Sequence, residues 1–360
     1  MMVKLIILSS LFFLFFLSAR GQEQKAESLF ESDFTQKYDS SYITVYRDEL
    51  TTRFYLFRKQ NGLNLSERLL SPWMKYRTND NLMLGLGYTY SFLTINLAMK
   101  FPFINDDDDL YGRSSYLDLS THTIFRSIIV DLYLQYNKGF YLSNPDKVLA
   151  SYVRTPARPA RGDLRTNLLG LNIQYLFNSS KYSYKAAFYQ NEFQKKSAGS
   201  PIIGAEAYWA LAMSDSAMVW NGLPQSGYME DRPFNQSDIL NFGINAGYAY
   251  TFVWQETLYL SLSTMFGAAG GMHHVYNSMA SETLSKGFTA GFSNSTRISF
   301  GFNSRQYYVG LSYIRFSTTN QVGREPDWIG YNTGSIRVNF VKRFITKKPI
   351  KVLRPDLWEF

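Results

Sequence analysis

Alternation with period two governs this chain. Leu82, Leu84, Leu86, Tyr88 and Tyr90 trade places with Met83, Gly85, Gly87 and Thr89. Leu93, Ile95, Leu97, Met99 and Phe101 oppose Thr94, Asn96, Ala98 and Lys100. Val130, Leu132, Leu134 and Tyr136 oppose Asp131, Tyr133, Gln135 and Asn137, and the pattern returns at 169–177, 242–252 and 336–340. Successive side chains on a strand point to opposite faces, so each run has one apolar face and one polar or small face. Such runs bury their apolar faces in one of two ways. In a soluble sandwich the apolar faces meet each other. In a membrane barrel they meet lipid, and the polar faces line a lumen.

Three features favour the barrel. The runs are about 9–13 residues long, enough for a tilted strand to cross a bilayer and longer than typical sandwich strands. Tight connections at 90–92, 126–127, 178–183, 254–256 and 303–305 alternate with long ones at 102–114, 139–164 and 268–286, as periplasmic turns alternate with external loops. Tyr88, Tyr90, Phe92, Tyr250, Phe252 and Trp254 gather beside the tight turns, where rings with polar tips suit the head-group level. Strands crossing hydrocarbon must close on themselves, because an open edge leaves backbone groups unpaired. The sequence therefore predicts an all-β fold: an antiparallel transmembrane β-barrel of about 12–14 strands, with short periplasmic turns and long external loops. The strands fall near 81–90, 92–101, 115–126, 128–138, 165–177, 182–192, 201–213, 239–253, 256–267, 288–302, 305–317 and 329–344, with 43–59 and 62–77 as a further pair. Segment 214–238 breaks the alternation of loop lengths, so either a strand hides in it or one of these strands is misplaced.

The N-terminus reads as an address. Lys4 precedes an apolar run from Leu5 to Leu17, followed by Ala19-Arg20-Gly21, the layout of a cleaved secretory signal peptide. A buried core helix is the bland alternative. This is the one long apolar run, and mean hydropathy is −0.22, so a helical membrane bundle is excluded. The chain has no Cys, which excludes disulfides, a thiolate zinc site, a thiol nucleophile and lipid anchoring at a processed cysteine. Its net charge is +8, but a secreted chain with no basic helix is a poor fit to nucleic acid. The expected organisation is a signal peptide at 1–21, a polar periplasmic lead at 22–41, the barrel at 42–344 and a basic tail at 345–360. Strand 334–344 ends on Phe344, fitting the segment that a barrel-insertion machinery reads.

Several phrases then stand together: Leu84-Gly85-Leu86-Gly87-Tyr88, Asn137-Lys138-Gly139-Phe140-Tyr141, Arg161-Gly162-Asp163-Leu164, Gln194-Lys195-Lys196-Ser197-Ala198-Gly199-Ser200, Gly247-Tyr248-Ala249-Tyr250 and Lys342-Arg343-Phe344. Their order and spacing resemble a family of uncharacterised outer-membrane proteins from Bacteroidota, catalogued as a domain of unknown function. The resemblance covers residues 40–345 and implies an outer-membrane barrel in a Gram-negative envelope. It carries no activity, and so no functional residue.

Candidate chemistry is sparse. Asp118, Ser120 and His122 share one strand face with Arg126 and invite a triad reading. Residues two apart on a strand lie about 6.5–7 Å apart at Cα, however, whereas a nucleophile and its base need about 3 Å. Asp106, Asp107, Asp108 and Asp109 form a loop run that could hold Ca²⁺, against the plainer reading of a solvated acidic loop. Arg154, Arg158, Arg161 and Arg165 could meet lipopolysaccharide phosphates or attract anions, against solvated arginine. His273 and His274 are adjacent, point apart and make a poor metal pair. Gly85, Gly87, Gly243, Gly247, Ser299 and Gly301 put small residues on the lumen face, leaving room for a solute, an inward-folded loop or the N-terminal lead. The leading expectation is a passive pore, transport route or envelope scaffold, with no cofactor. Its expected partners are outer-membrane lipids, lipopolysaccharide and the insertion machinery. The alternatives are a barrel hydrolase of lipid or lipopolysaccharide and a soluble periplasmic sandwich that binds a ligand.

Overall fold

The computed structural model describes residues 38–46, 49–67, 69, 72–90, 93–100, 107–149, 152–219, 233–323 and 327–345. In chain order the elements begin with β1 (Ile43–Val45), β2 (Glu49–Ser66), β3 (Met74–Arg77), β4 (Leu82–Tyr90), β5 (Leu93–Lys100), α1 (Asp108–Tyr111), β6 (Ser115–Asp118) and β7 (Thr121–Ile124). There follow β8 (Ile128–Leu142), α2 (Pro145–Val148), β9 (Ala160–Leu176), α3 (Tyr184–Phe188), β10 (Glu192–Gln194) and β11 (Ala198–Met213). The last are β12 (Gln236–Trp254), β13 (Leu258–Asn277), β14 (Glu282–Asn303), β15 (Tyr307–Val322) and β16 (Asp327–Ile345).

One antiparallel sheet closes on itself. The sheet holds 14 strands, the upper end of the range expected from sequence, but the closed circuit has ten, β2–β16–β15–β14–β13–β12–β11–β9–β8–β3 and back to β2, because β4–β7 lie off it. The seam between first and last strands is long: β2 pairs with β16 from Glu49↔Ile345 to Ser66↔Trp328. Near β3 the wall divides. Residues 62–65 of β2 pair with β3, and residues 51–58 pair with β4, which carries β5. On the other side β8 pairs with β3 at 141–142 and with β6 and β7 below. A single closed sheet, not two facing sheets, excludes the sandwich alternative.

The faces sort as the alternation requires. Leu86, Leu134, Ile173, Ile244, Phe266 and Phe300 point out and are exposed. Asn61, Asp131, Asn172, Glu206, Asn245, Ser261 and Arg297 point in and are buried. An apolar outside around a polar inside suits hydrocarbon. Glu49 and Ile345 lie at the same end as the β7–β8, β12–β13 and β14–β15 turns. Short turns mark the periplasmic end.

The structure corrects four sequence expectations. Segment 182–192 is not a wall strand: it holds α3, and the turn at 177–181 leads into it rather than joining two strands as a hairpin. Removing it restores the alternation of loop lengths, so 214–235 becomes an ordinary external connection. Strand 115–126 is interrupted at residues 119–120. Residues 43–77 form a three-residue β1, a long β2 and a short β3 rather than an even pair. Finally, 268–286 is not a long loop, because β13 and β14 continue their ladder to Asn277↔Glu282. At 20 and 22 residues, both are about twice the length needed to cross hydrocarbon.

The interior is filled. A Cβ on Gly85 would strike the Tyr55 ring, and one on Gly170 would strike the Tyr208 ring. Small residues on the lumen face thus make seats for large neighbours rather than open space. Toward the external end an apolar core gathers Leu63, Leu65, Tyr76, Phe140, Tyr208 and Phe316 with Met218, Val219 and Phe234 of the 214–235 connection. The Tyr76 hydroxyl donates to the Met218 carbonyl at 2.7 Å, fastening this connection inside the barrel mouth.

Candidate functional site

The most elaborate arrangement lies at the periplasmic end of the lumen, where residues 177–197 fold inward. Local chemistry explains why a segment that alternates like a strand coils instead. Ala186-Ala187 favours helix, and Ser183 caps it, its Oγ accepting from Ala186 N at 3.0 Å. The helix stops at Gln190, held at φ +57°, with Gln190 N bonded to the Lys185 carbonyl at 2.9 Å. Beyond it β10 pairs with β1, Ile43↔Gln194 to Val45↔Glu192. The first described residues and this inward loop therefore form one small unit.

That unit is fastened to the wall by charge and hydroxyl groups. The end of α3 leaves carbonyl oxygens without helical partners, and cations belong there. Arg53 Nη2 donates to the Tyr189 carbonyl at 2.6 Å, and its Nε donates to Gln190 Oε1 at 3.1 Å. Arg343 donates to the Gln190 carbonyl from Nη2 at 2.6 Å and from Nε at 2.9 Å. Ser299 Oγ donates to the Ala187 carbonyl at 3.0 Å. On the opposite side Arg126 grips Glu192 with two parallel bonds of 2.6 and 3.0 Å, and Ser183 Oγ also donates to this carboxylate. Burial alone would raise the Glu192 carboxyl; the Arg126 guanidinium, the Lys185 charge and the Ser183 hydroxyl together more than offset it and hold the group below its ordinary range.

Above the plug lies a buried polar layer. Asp131 is fully buried and pairs with Arg297 across the lumen, while its Oδ1 lies 2.8 Å from His122 Nδ1. The Arg297 guanidinium sits 5.4 Å above the Tyr184 ring of α3, and the Tyr184 hydroxyl donates to Ser263 Oγ at 2.9 Å. The layer thus touches the plug directly. Glu206 accepts from Asn245 Nδ2 at 2.7 Å, from the Tyr208 hydroxyl at 3.3 Å and from Ser293 Oγ. These groups satisfy one another inside the barrel, where an unpaired charge would be costly.

The residues singled out from sequence are mostly dispersed. Asp118, Ser120 and His122 do not form a triad. Ser120 N donates to Asp118 Oδ1 at 2.8 Å, and Ser120 Oγ accepts from Gln135 Nε2 at 3.2 Å. His122 turns to Asp131, and Asp118 pairs with Lys59. Of the acidic run, Asp106 lies outside the described residues. Asp107 and Asp108 accept from the Asn79 amide at 3.0 and 3.1 Å, and Asp109 is exposed. Among the described residues no group of three or more His, Cys, Asp or Glu is placed to hold a metal ion. The four arginines are not one patch. Arg154 is exposed; Arg158 and Arg165 are half-buried. Arg161 is buried against Asp163, with two bonds of 2.8 Å, and donates to the Ala217 carbonyl at 2.8 Å. His273 and His274 lie on β13, not in a loop, and bond Ser285 and Thr283 separately.

Sequence reading missed Arg53, Glu192, Glu206, Arg297 and Arg343. One signal was available for four of them: Arg53, Glu206, Arg297 and Arg343 are charged residues at inward positions of runs whose other face is largely apolar, whereas Glu192 lies in no such run.

Among curated proteins none is significantly similar in sequence. Solved structures of similar shape include the outer membrane protease OmpT of Escherichia coli, at 9% identity and TM-score 0.32, covering 84% of this chain and 98% of that one. The Pseudomonas putida toluene transporter TodX matches at 8% identity and TM-score 0.20, over 83% and 91%. The translocator domain of the autotransporter NalP of Neisseria meningitidis matches at 8% and 0.25, over 91% and 97%. The profile of one sequence family matches residues 37–344, nearly the whole described barrel. This chain belongs to that family, which is described as a domain of unknown function, DUF4421.

Proposed function

We propose that this protein is an integral outer-membrane barrel of a Gram-negative envelope, sealed along its axis, and that it serves as an envelope scaffold rather than an open pore. One observation carries this reading: the lumen is filled at both ends. The inward loop at 177–197 fills the periplasmic end, and the apolar core with Met218, Val219 and Phe234 fills the external end. The exposed apolar outer wall supports placement in a membrane. In this reading residues 1–21 export the chain, and the insertion machinery reads β16 up to Phe344. Lipid and lipopolysaccharide surround the wall, with aromatic rings at its edges. A Bacteroidota source rests on the sequence resemblance alone.

A gated route is the second reading, favoured by the plug being fastened through reversible polar bonds. Hydrolysis has less support, since Ser120 Oγ and His122 are engaged with different partners. Purified protein in planar bilayers tests the scaffold reading. Wild type is expected to give no steady conductance, and a stable open level would overturn it. Opening under voltage or an added solute would favour the gated route. Lipid-hydrolysis activity lost in Ser120→Ala or His122→Ala would restore the enzyme.

A further inference from the structure

We infer that the outer wall at the β4–β2–β16–β15 seam carries a seat for one anionic phospholipid of the periplasmic leaflet. This rests on the proposed membrane placement.

A groove of about 510 Å³ opens there on the outward face. Register fixes its shape. Thr52 stands opposite Tyr88 on one side and Lys342 on the other, and Lys342 stands opposite Tyr307. These four make one row across four strands, about 14 Å wide at the usual strand spacing. The next row is Leu86, Phe54, Phe340 and Val309, about 7 Å farther from the periplasmic end. The first row is a small hydroxyl residue and a cation between two tyrosines; the second is wholly apolar. Thr52 makes the depression because its neighbours are large and it is not.

The two rows match the two parts of a phospholipid. Lys342 lies three residues from the end of β16, about 10 Å along the strand, which puts its ammonium at head-group depth. Its Nζ is 5.0 Å from the centre of the Phe344 ring and 5.7 Å from that of Tyr307, so both rings border the cation. Among the described residues it has no carboxylate within ion-pairing distance, and the groove contains no other outward charge. Its complement is a phosphate. The Phe54 and Phe340 row then receives an acyl chain, which fills a hollow that lipid packed against a flat wall would leave.

Native mass spectrometry of the mature barrel in detergent tests the seat, with phosphatidylglycerol and phosphatidylcholine added separately. Wild type is expected to retain one phosphatidylglycerol and to prefer it over phosphatidylcholine. Lys342→Gln should weaken retention about tenfold, and Thr52→Phe, which fills the hollow, should abolish it. Leu134→Ala, elsewhere on the outer wall, should change nothing. Equal retention of both lipids, or unchanged retention in Lys342→Gln, overturns the seat. Displacement by millimolar inorganic phosphate would also overturn it, since the site would then be a free-anion site. Heat-modifiable gel migration of the same samples reports the barrel separately. Its loss in wild type would sink the membrane reading, whereas normal migration without lipid preference sinks the seat alone.

Discussion

Glu192→Gln should free the periplasmic plug without unfolding the barrel. The carboxylate and Arg126 are both nearly inaccessible, at 2% and 3% side-chain exposure, and share two short bonds. Neutralising Glu192 strands a buried guanidinium, and breaking such a pair costs about 3–5 kcal/mol. At about 1.4 kcal/mol per factor of ten, the plug's opening constant should rise about 10²–10⁴-fold. Amide hydrogen exchange reads this directly when closing is fast, because its rate follows the population of the open form. The reporting amide is one that crosses from plug to wall: Asn178 N, which donates to Ser200 Oγ of β11 at 2.9 Å. Ladder amides of β12 and β13 should be unaffected. Adding Arg126→Met to Glu192→Gln should recover much of the loss, because most of the cost is the stranded charge. The pH dependence follows. The folded carboxyl titrates below its ordinary 4.5, so its contribution is complete above that value and disappears as pH falls through the lower folded value. Plug exchange in wild type should therefore accelerate below pH 4.5, and in Glu192→Gln that acid step should be absent. Unchanged exchange in the variant, or equal acceleration in plug and ladder amides, would refute the plug as a separately fastened unit.

Arg297→Met leaves Asp131 buried without its cation, and should lower barrel stability by about 3–5 kcal/mol. A urea folding titration in vesicles measures it, and adding Asp131→Asn should restore part. Ile244→Arg puts a charge on an outward position that is 70% exposed; if that surface faces the bilayer core, the same titration should show a loss of about 2–4 kcal/mol. No loss would argue that this face sits in water. Gly170→Ala drives a methyl into the Tyr208 ring and should cost about 1–3 kcal/mol by overpacking, read as a lower midpoint.

The wall was legible because its information is local. At Leu82–Tyr88 or Phe242–Phe252 the facing of each side chain follows from its neighbours two residues away, and the structure keeps those facings, while Tyr90 at the strand end is buried. Length errors arose where the same alternation has no boundary signal. β13 and β14 continue past the span that hydrocarbon requires, through residues that read as loop, because each pairs with the other. The plug was misread for the opposite reason. Tyr182, Tyr184, Ala186 and Phe188 alternate with Ser183, Lys185 and Ala187, so period two is present there too. The competing signals, a Ser cap and an Ala pair, are weak until a lumen surrounds them.

The sequence by itself determined which face of each strand is greasy and which is polar, and with it the closed antiparallel sheet. Alternation is a property of adjacent residues and survives any register. Whether the enclosed space is open or filled was decided only by tertiary structure. Asp131 meets Arg297 across 166 positions, and Arg343 meets Gln190 across 153. Such partners are chosen by the circumference and stagger of the barrel, which bring Asp131 and Arg297 together from opposite walls and set Arg343 against the backbone of the inward plug.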